Sequence, residues 1–120
     1  MEQNIELLAL HSEKALKYPS ILQECCFILN REWPRSRALR LRTLESSRPE
    51  LPANFALVQK FNDNFHVLGH ARVTRIPSND AAVWIESVVI HQNLRGGGIG
   101  RYLMLALEKV CKEKWNSLPT

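Results

Sequence analysis

A chain of 120 residues with 45% hydrophobic content can bury one domain core and is too short for two. Its 16 lysines and arginines exceed its 12 acidic residues, and the net charge of +4 favours an anionic partner without demanding nucleic acid. No run approaches the ~18 apolar residues of a membrane span, and no basic-then-apolar leader pattern opens the chain. Cys25, Cys26 and Cys111 lack metal-ligand spacing and read as reduced thiols packed in the core of a cytoplasmic protein.

Taken in chain order, Ile5 to Leu10 is expected to be a first strand. A helix is predicted after Tyr18-Pro19-Ser20, with Ser20 as its cap and Ile21, Cys25, Ile28 and Leu29 as its apolar stripe. Trp33-Pro34 interrupts it, because the residue before a proline avoids the helical region. A second helix is predicted over Arg35 to Ser46, followed by a proline-containing loop from Glu50 to Ala53. Segments 55–61 and 65–73 flank the polar turn Asn62-Asp63-Asn64 and predict a hairpin. Pro77-Ser78-Asn79-Asp80 separates that hairpin from the apolar run 83–90, which reads as a buried strand. Ile99, Leu103, Ala106, Leu107 and Val110 then recur at helical spacing, so a helix begins within the glycines that precede them. The order β-α-α-β-β-β-α predicts an α/β (α+β) domain.

The junction Arg95-Gly96-Gly97-Gly98-Ile99-Gly100 carries the clearest chemistry. A strand, a glycine-rich turn and a helix N-terminus make an anion site, because free backbone N–H groups and the helix dipole both favour negative charge. The glycines leave the main chain open to a phosphate, and Arg95 offers a charge-assisted hydrogen bond. A Walker loop is excluded, since no lysine is followed by Ser or Thr. A Rossmann turn is excluded too, since Arg101 stands where its last glycine belongs. What remains is Arg-x-x-Gly-x-Gly, at Arg95, Gly98 and Gly100, or a plain glycine-rich turn.

In its setting this motif resembles the pyrophosphate-binding turn of the GNAT superfamily of N-acetyltransferases, which also joins a fourth strand to a third helix. The resemblance implies a mostly antiparallel sheet and acetyl-CoA as co-substrate. It places the cofactor on Val88, Val89, Ile90, Arg95, Gly96, Gly97, Gly98, Ile99, Gly100 and Arg101. It further implies a fifth strand splayed from the fourth around the pantetheine arm. Residues 114–120 are too few for that strand and the elements after it. The expectation is therefore a single domain over 1–120 that is truncated at its C-terminal end, with an unpaired edge on the strand ending at Ile90.

Five arginines fall between Arg31 and Arg42. Their planar forks suit carboxylates and phosphates, although a solvated basic helix face is the plainer alternative. RNA is disfavoured, because the cluster is short and lacks interleaved aromatics. Trp33-Pro34-Arg35-Ser36-Arg37, Gly69-His70-Ala71-Arg72-Val73, Glu86-Ser87-Val88-Val89-Ile90 and the glycine turn together resemble the actin N-terminal acetyltransferases, over about Leu22 to Glu108. That resemblance implies the acidic N-terminal peptide of actin as partner and substrate, bound by Trp33, Arg35, Arg37, Arg40 and Arg42. Backbone N–H groups along Val88 to Ile90 would stabilise the oxyanion. Glu86 would take the amine proton through water, or is simply a structural carboxylate.

His66 and His70 share one face of a predicted strand without a third ligand, so no metal is expected. His91 is expected to be solvated, and Trp84, Tyr102 and Trp115 to pack. The expected protein is a monomer that binds neither nucleic acid nor membrane. Two alternatives stay open. One is an inactive fragment that binds acetyl-CoA or actin; the other is an acetyltransferase for a different amine.

Overall fold

The computed structural model describes residues 4–119. Strand β1 (Ile5–Ala9) pairs antiparallel with β2 (Ala53–Phe61), β2 with β3 (Asn64–Ile76), and β3 with β4 (Asn79–Ile90). A two-residue strand, β5 (Leu118–Pro119), runs parallel to β4 and completes the order β1-β2-β3-β4-β5. Helices α1 (Glu13–Leu16), α2 (Pro19–Glu32) and α3 (Arg37–Glu45) cover one face of the sheet, and α4 (Ile99–Trp115) covers the other. The fold is α/β with a mostly antiparallel sheet, as expected.

Strand β2 divides the core between the two faces. Ala56 and Val58 join Ile21, Cys25 and Leu29 of α2, whereas Phe55 and Leu57 join Leu103, Leu107 and Cys111 of α4. Burial of both faces explains why β2 is apolar without alternation over most of its length. All three cysteines are buried free thiols, and burial raises the pKa of Cys25 and Cys111, which suits packing rather than reactivity.

Local chemistry sets the helix boundaries, in places differently from expectation. Pro19 occupies the first turn of α2 and Tyr18 is its N-cap, so Ser20 lies inside the helix and does not cap it. Ser36 caps α3 by accepting from the Leu39 N–H at 3.1 Å, which leaves Arg35 outside the helix. Helix α1 was not expected; four residues are too few for a periodic signal, and Ser12 supplies its cap. Strand β4 begins at Asn79, so the expected separator shrinks to the turn Pro77-Ser78. Residues 114–120 do include a strand: Leu118 and Pro119 pair with Ala82 and Val83. Among the described residues, the same edge of β4 is unpaired from Trp84 to Ile90.

Candidate active site

The glycine turn lies where β4 ends. A 3-10 turn over Gln92–Leu94 follows it, capped by His91, whose Nδ1 accepts from the Asn93 N–H at 3.2 Å. The chain then passes through Arg95 to Gly98 and enters α4. Gly98 is the N-cap in a left-handed conformation, φ +86°, and no side chain caps the helix. The first intrahelical bond is Tyr102 N–H to the Gly98 carbonyl at 3.1 Å, so the N–H groups of Ile99, Gly100 and Arg101 have no carbonyl in the helix. The first turn contains no acidic residue, and residues 95–98 are exposed. These features fit a pyrophosphate.

Arg95 is engaged differently from expectation. Its Nε donates to the Ile90 carbonyl at 3.1 Å and its Nη2 to Glu32 Oε2 at 3.0 Å. This ion pair ties the end of α2 to the glycine turn across 63 residues of sequence. A pocket of about 200 Å³ opens between them, lined by Phe27, Arg31 and Glu32 on one side and by Ile90, His91 and Arg95 on the other. Arg31, which the resemblance did not single out, lies over the Phe27 ring at 5.9 Å from its centroid. Nothing in the sequence marks Phe27 as a wall of this pocket.

Strand β4 is interrupted by a bulge. His70 pairs with Val89 and Arg72 with Glu86, so Ser87 and Val88 together oppose Ala71. Ser87 has φ +53°, a conformation disfavoured for any residue with a Cβ. Its carbonyl faces His70 Nδ1 at 2.9 Å. The other ring nitrogen, Nε2, faces Asn54 Oδ1 at 3.0 Å, and Asn54 Nδ2 donates to the Thr43 and Leu44 carbonyls at the end of α3. Both facing oxygens only accept, so a neutral ring donates to one of them alone: with its proton on Nδ1 it donates to Ser87, and it donates to Asn54 as well only when Nε2 is protonated too. A second proton on the ring is opposed by burial above all, then by the charges of Arg72 and Arg40; the bond to Ser87 works the other way. The pKa falls to about 4.

Glu86 lies on the exposed side of β4, 3.6 Å from Arg72 Nε, with its side chain half exposed. Exposed Trp84 shares that face. Arg72 also donates from Nη1 to the Thr43 carbonyl at 3.5 Å.

Of the substrate-side residues, Trp33, Arg35, Arg37 and Arg42 are exposed. Arg40 is not; it is 6% exposed, and it donates to Asn30 Oδ1 at 2.9 Å and to the Trp33 carbonyl. The expected surface ligand is thus a brace between α2 and α3. Its pKa is lowered by desolvation first and then by Arg35. Among the described residues no ion pair includes Arg31, Arg35, Arg37 or Arg42, and no cluster of potential metal ligands occurs.

Residues 9–118 match the Acetyltransferase (GNAT) family. The chain is 34% identical over 99 residues to N-alpha-acetyltransferase 80 of Mus musculus. That alignment takes in 80% of this chain but 32% of the relative, so the chain spans about a third of its length. An acetyltransferase of Trypanosoma brucei has a TM-score of 0.64 at 19% identity, over 96% of this chain and 79% of that one. An aminoglycoside 6'-N-acetyltransferase complexed with coenzyme A has a TM-score of 0.69 at 14% identity, over 91% of this chain and 56% of that one. At such identities the two structures speak for the fold alone. The family match runs through α2, α3, the β4 bulge and the glycine turn alike, and the chain belongs to the GNAT acetyltransferase family.

Proposed function

We propose that this domain transfers acetyl from acetyl-CoA to the α-amino group of an acidic protein N-terminus, with processed actin as the substrate. The observation that carries this proposal is the Glu32–Arg95 pair, which ties the end of α2, followed in sequence by the exposed Arg35 and Arg37, to the turn that leads into a helix N-terminus suited to pyrophosphate. The likeness to N-alpha-acetyltransferase 80 supports an α-amine as acceptor.

Acetyl-CoA, when bound, supplies the thioester whose acetyl group is transferred. The N–H groups at the start of α4, with Arg95 and Arg101, hold its pyrophosphate. Backbone N–H groups along Val88 to Ile90 hold the acetyl carbonyl and the oxyanion that develops on it. Arg35, Arg37 and Arg42 bind the acidic side chains of the acceptor and so orient its amine. A peptide α-amine has a pKa of ~7.7–8.0, so losing its proton near neutrality costs little. Orientation therefore supplies much of the acceleration; Glu86 accepts the amine proton through water, the C–N bond forms as the C–S bond breaks, and CoA leaves as a thiolate that takes a proton from solvent.

Peptide assays test the proposal. A peptide with an acidic N-terminus is expected to react far better than its basic counterpart. Reversing charge at Arg35 and Arg37 should lower kcat/KM for the acidic peptide by about tenfold or more and remove the preference. Equal rates for both peptides would assign the site to another amine. Acetyl-CoA binding by calorimetry without turnover would leave a binding domain.

A further inference from the structure

The β4 bulge raises a question that the acetyl-transfer proposal leaves unanswered: what holds it? Ser87 adopts φ +53° although it is not glycine. A strand of ordinary residues returns to extended backbone unless its neighbours over-determine the exception. The contact available to do so is His70, which is 1% exposed and donates from Nδ1 to the Ser87 carbonyl at 2.9 Å. Asn54, also 1% exposed, packs on the other side of the ring, with Oδ1 at 3.0 Å from Nε2, a contact that becomes a hydrogen bond when Nε2 carries a proton. Asn54 in turn donates to the carbonyls of Thr43 and Leu44 at the end of the arginine-bearing helix α3. A buried relay therefore runs from α3 through Asn54 and His70 to the bulge.

We propose that His70 is a positioning residue, which holds Ser87 in its left-handed conformation and so aims the Val88–Ile90 edge of β4 relative to α3. This deepens the acetyl-transfer proposal and rests on it for its functional consequence. The shift of parity at the bulge puts Val89 into the core on the α2 side and Ile90 on the α4 side. Without the bulge, the backbone from Val88 onward turns its groups the other way. One competing support exists. Ile90 packs so closely on Gly69 that a Cβ there would lie 2.8 Å from Ile90 Cδ1, and this contact also pins β4 beyond the bulge.

Two conservative variants separate these supports. In His70→Asn the side-chain amide nitrogen reaches the place of Nδ1 and keeps the bond to Ser87. In His70→Gln it reaches the place of Nε2 and keeps only the contact with Asn54. Backbone couplings and carbon shifts of Ser87, measured by NMR, should show the left-handed conformation retained in His70→Asn and lost in His70→Gln. With an acidic peptide, His70→Gln should lose about tenfold in kcat at unchanged peptide KM, and His70→Asn should stay near the wild type. A left-handed Ser87 in His70→Gln, or equal losses in the two variants, would overturn the proposal and assign the bulge to the Gly69–Ile90 packing. If the unaltered chain transfers no acetyl, the functional proposal fails by itself, and the Ser87 conformation still decides whether His70 holds the bulge.

Discussion

Burial takes the His70 ring out of water, and with Arg72 and Arg40 nearby it holds the pKa at about 4 instead of 6.5. The unfolded chain takes up the proton near pH ~6.5, whereas the folded one refuses it until about pH 4. Between those values the unfolded state binds more protons, so stability is full above pH ~6.5 and is lost as the pH falls toward 4. A shift from 6.5 to about 4 corresponds to about 3 kcal/mol. Unfolding free energies from urea titrations of the wild type should therefore fall across this window, and those of His70→Asn should fall by about 3 kcal/mol less. Parallel pH profiles would mean that the ring is not held neutral. Arg40 illustrates a different effect of burial. Sequence places it among four exposed arginines, and only the fold brings Asn30 and the Trp33 carbonyl to its guanidinium. No local pattern distinguishes a bracing arginine from a ligand-binding one, because the difference lies in partners on another element.

At the scale of elements, the start of α4 makes the sharpest prediction. A Cβ on Gly98 meets no atom within 4 Å, so the folded chain has room for one. The backbone does not tolerate it, since φ is +86° and a β-branched residue is strongly disfavoured there. Gly98→Val should rotate the uncapped N–H groups and obstruct the ligand, weakening acetyl-CoA binding by about tenfold or more in calorimetry. Gly97→Ala separates obstruction of the ligand from backbone strain, because Gly97 has no positive φ and its Cβ would make an ordinary 3.5 Å contact with the Leu94 carbonyl, so it should weaken binding less than Gly98→Val. Wild-type affinity in Gly98→Val would remove the glycine turn from the cofactor site. This turn and α4 were legible because period and composition change abruptly there, as was the β2–β3 hairpin around its polar turn. The bulge was not, because a strictly alternating reading runs straight through Ser87 and a left-handed serine has no compositional sign. Strand β5 leaves no mark in the sequence, because two residues carry no periodicity; their pairing with β4 is settled by tertiary contact alone.

Across the whole molecule, a net charge of +4 says less than its placement. Glu32 is the only acid between Arg31 and Arg42, and it is engaged by Arg95, which leaves the exposed arginines of that segment uncompensated. Such charges attract an acidic peptide through solvent and are screened by salt, over a Debye length of ~10 Å at ~0.1 M. Raising salt from about 0.05 to about 0.5 M should therefore raise the KM of an acidic peptide by about tenfold and leave that of a neutral peptide nearly unchanged. The cofactor should respond less steeply. Salt weakens the attraction between its pyrophosphate and Arg95, but it equally weakens the half-exposed Glu32–Arg95 pair that competes for the same guanidinium. The two effects oppose each other, whereas nothing opposes the loss at Arg35, Arg37 and Arg42. A steep peptide KM beside a shallow acetyl-CoA KM is the signature of arginines that bind the acceptor. Equal slopes for acidic and neutral peptides would make those arginines a solvated helix face and leave the acceptor to be sought among other amines.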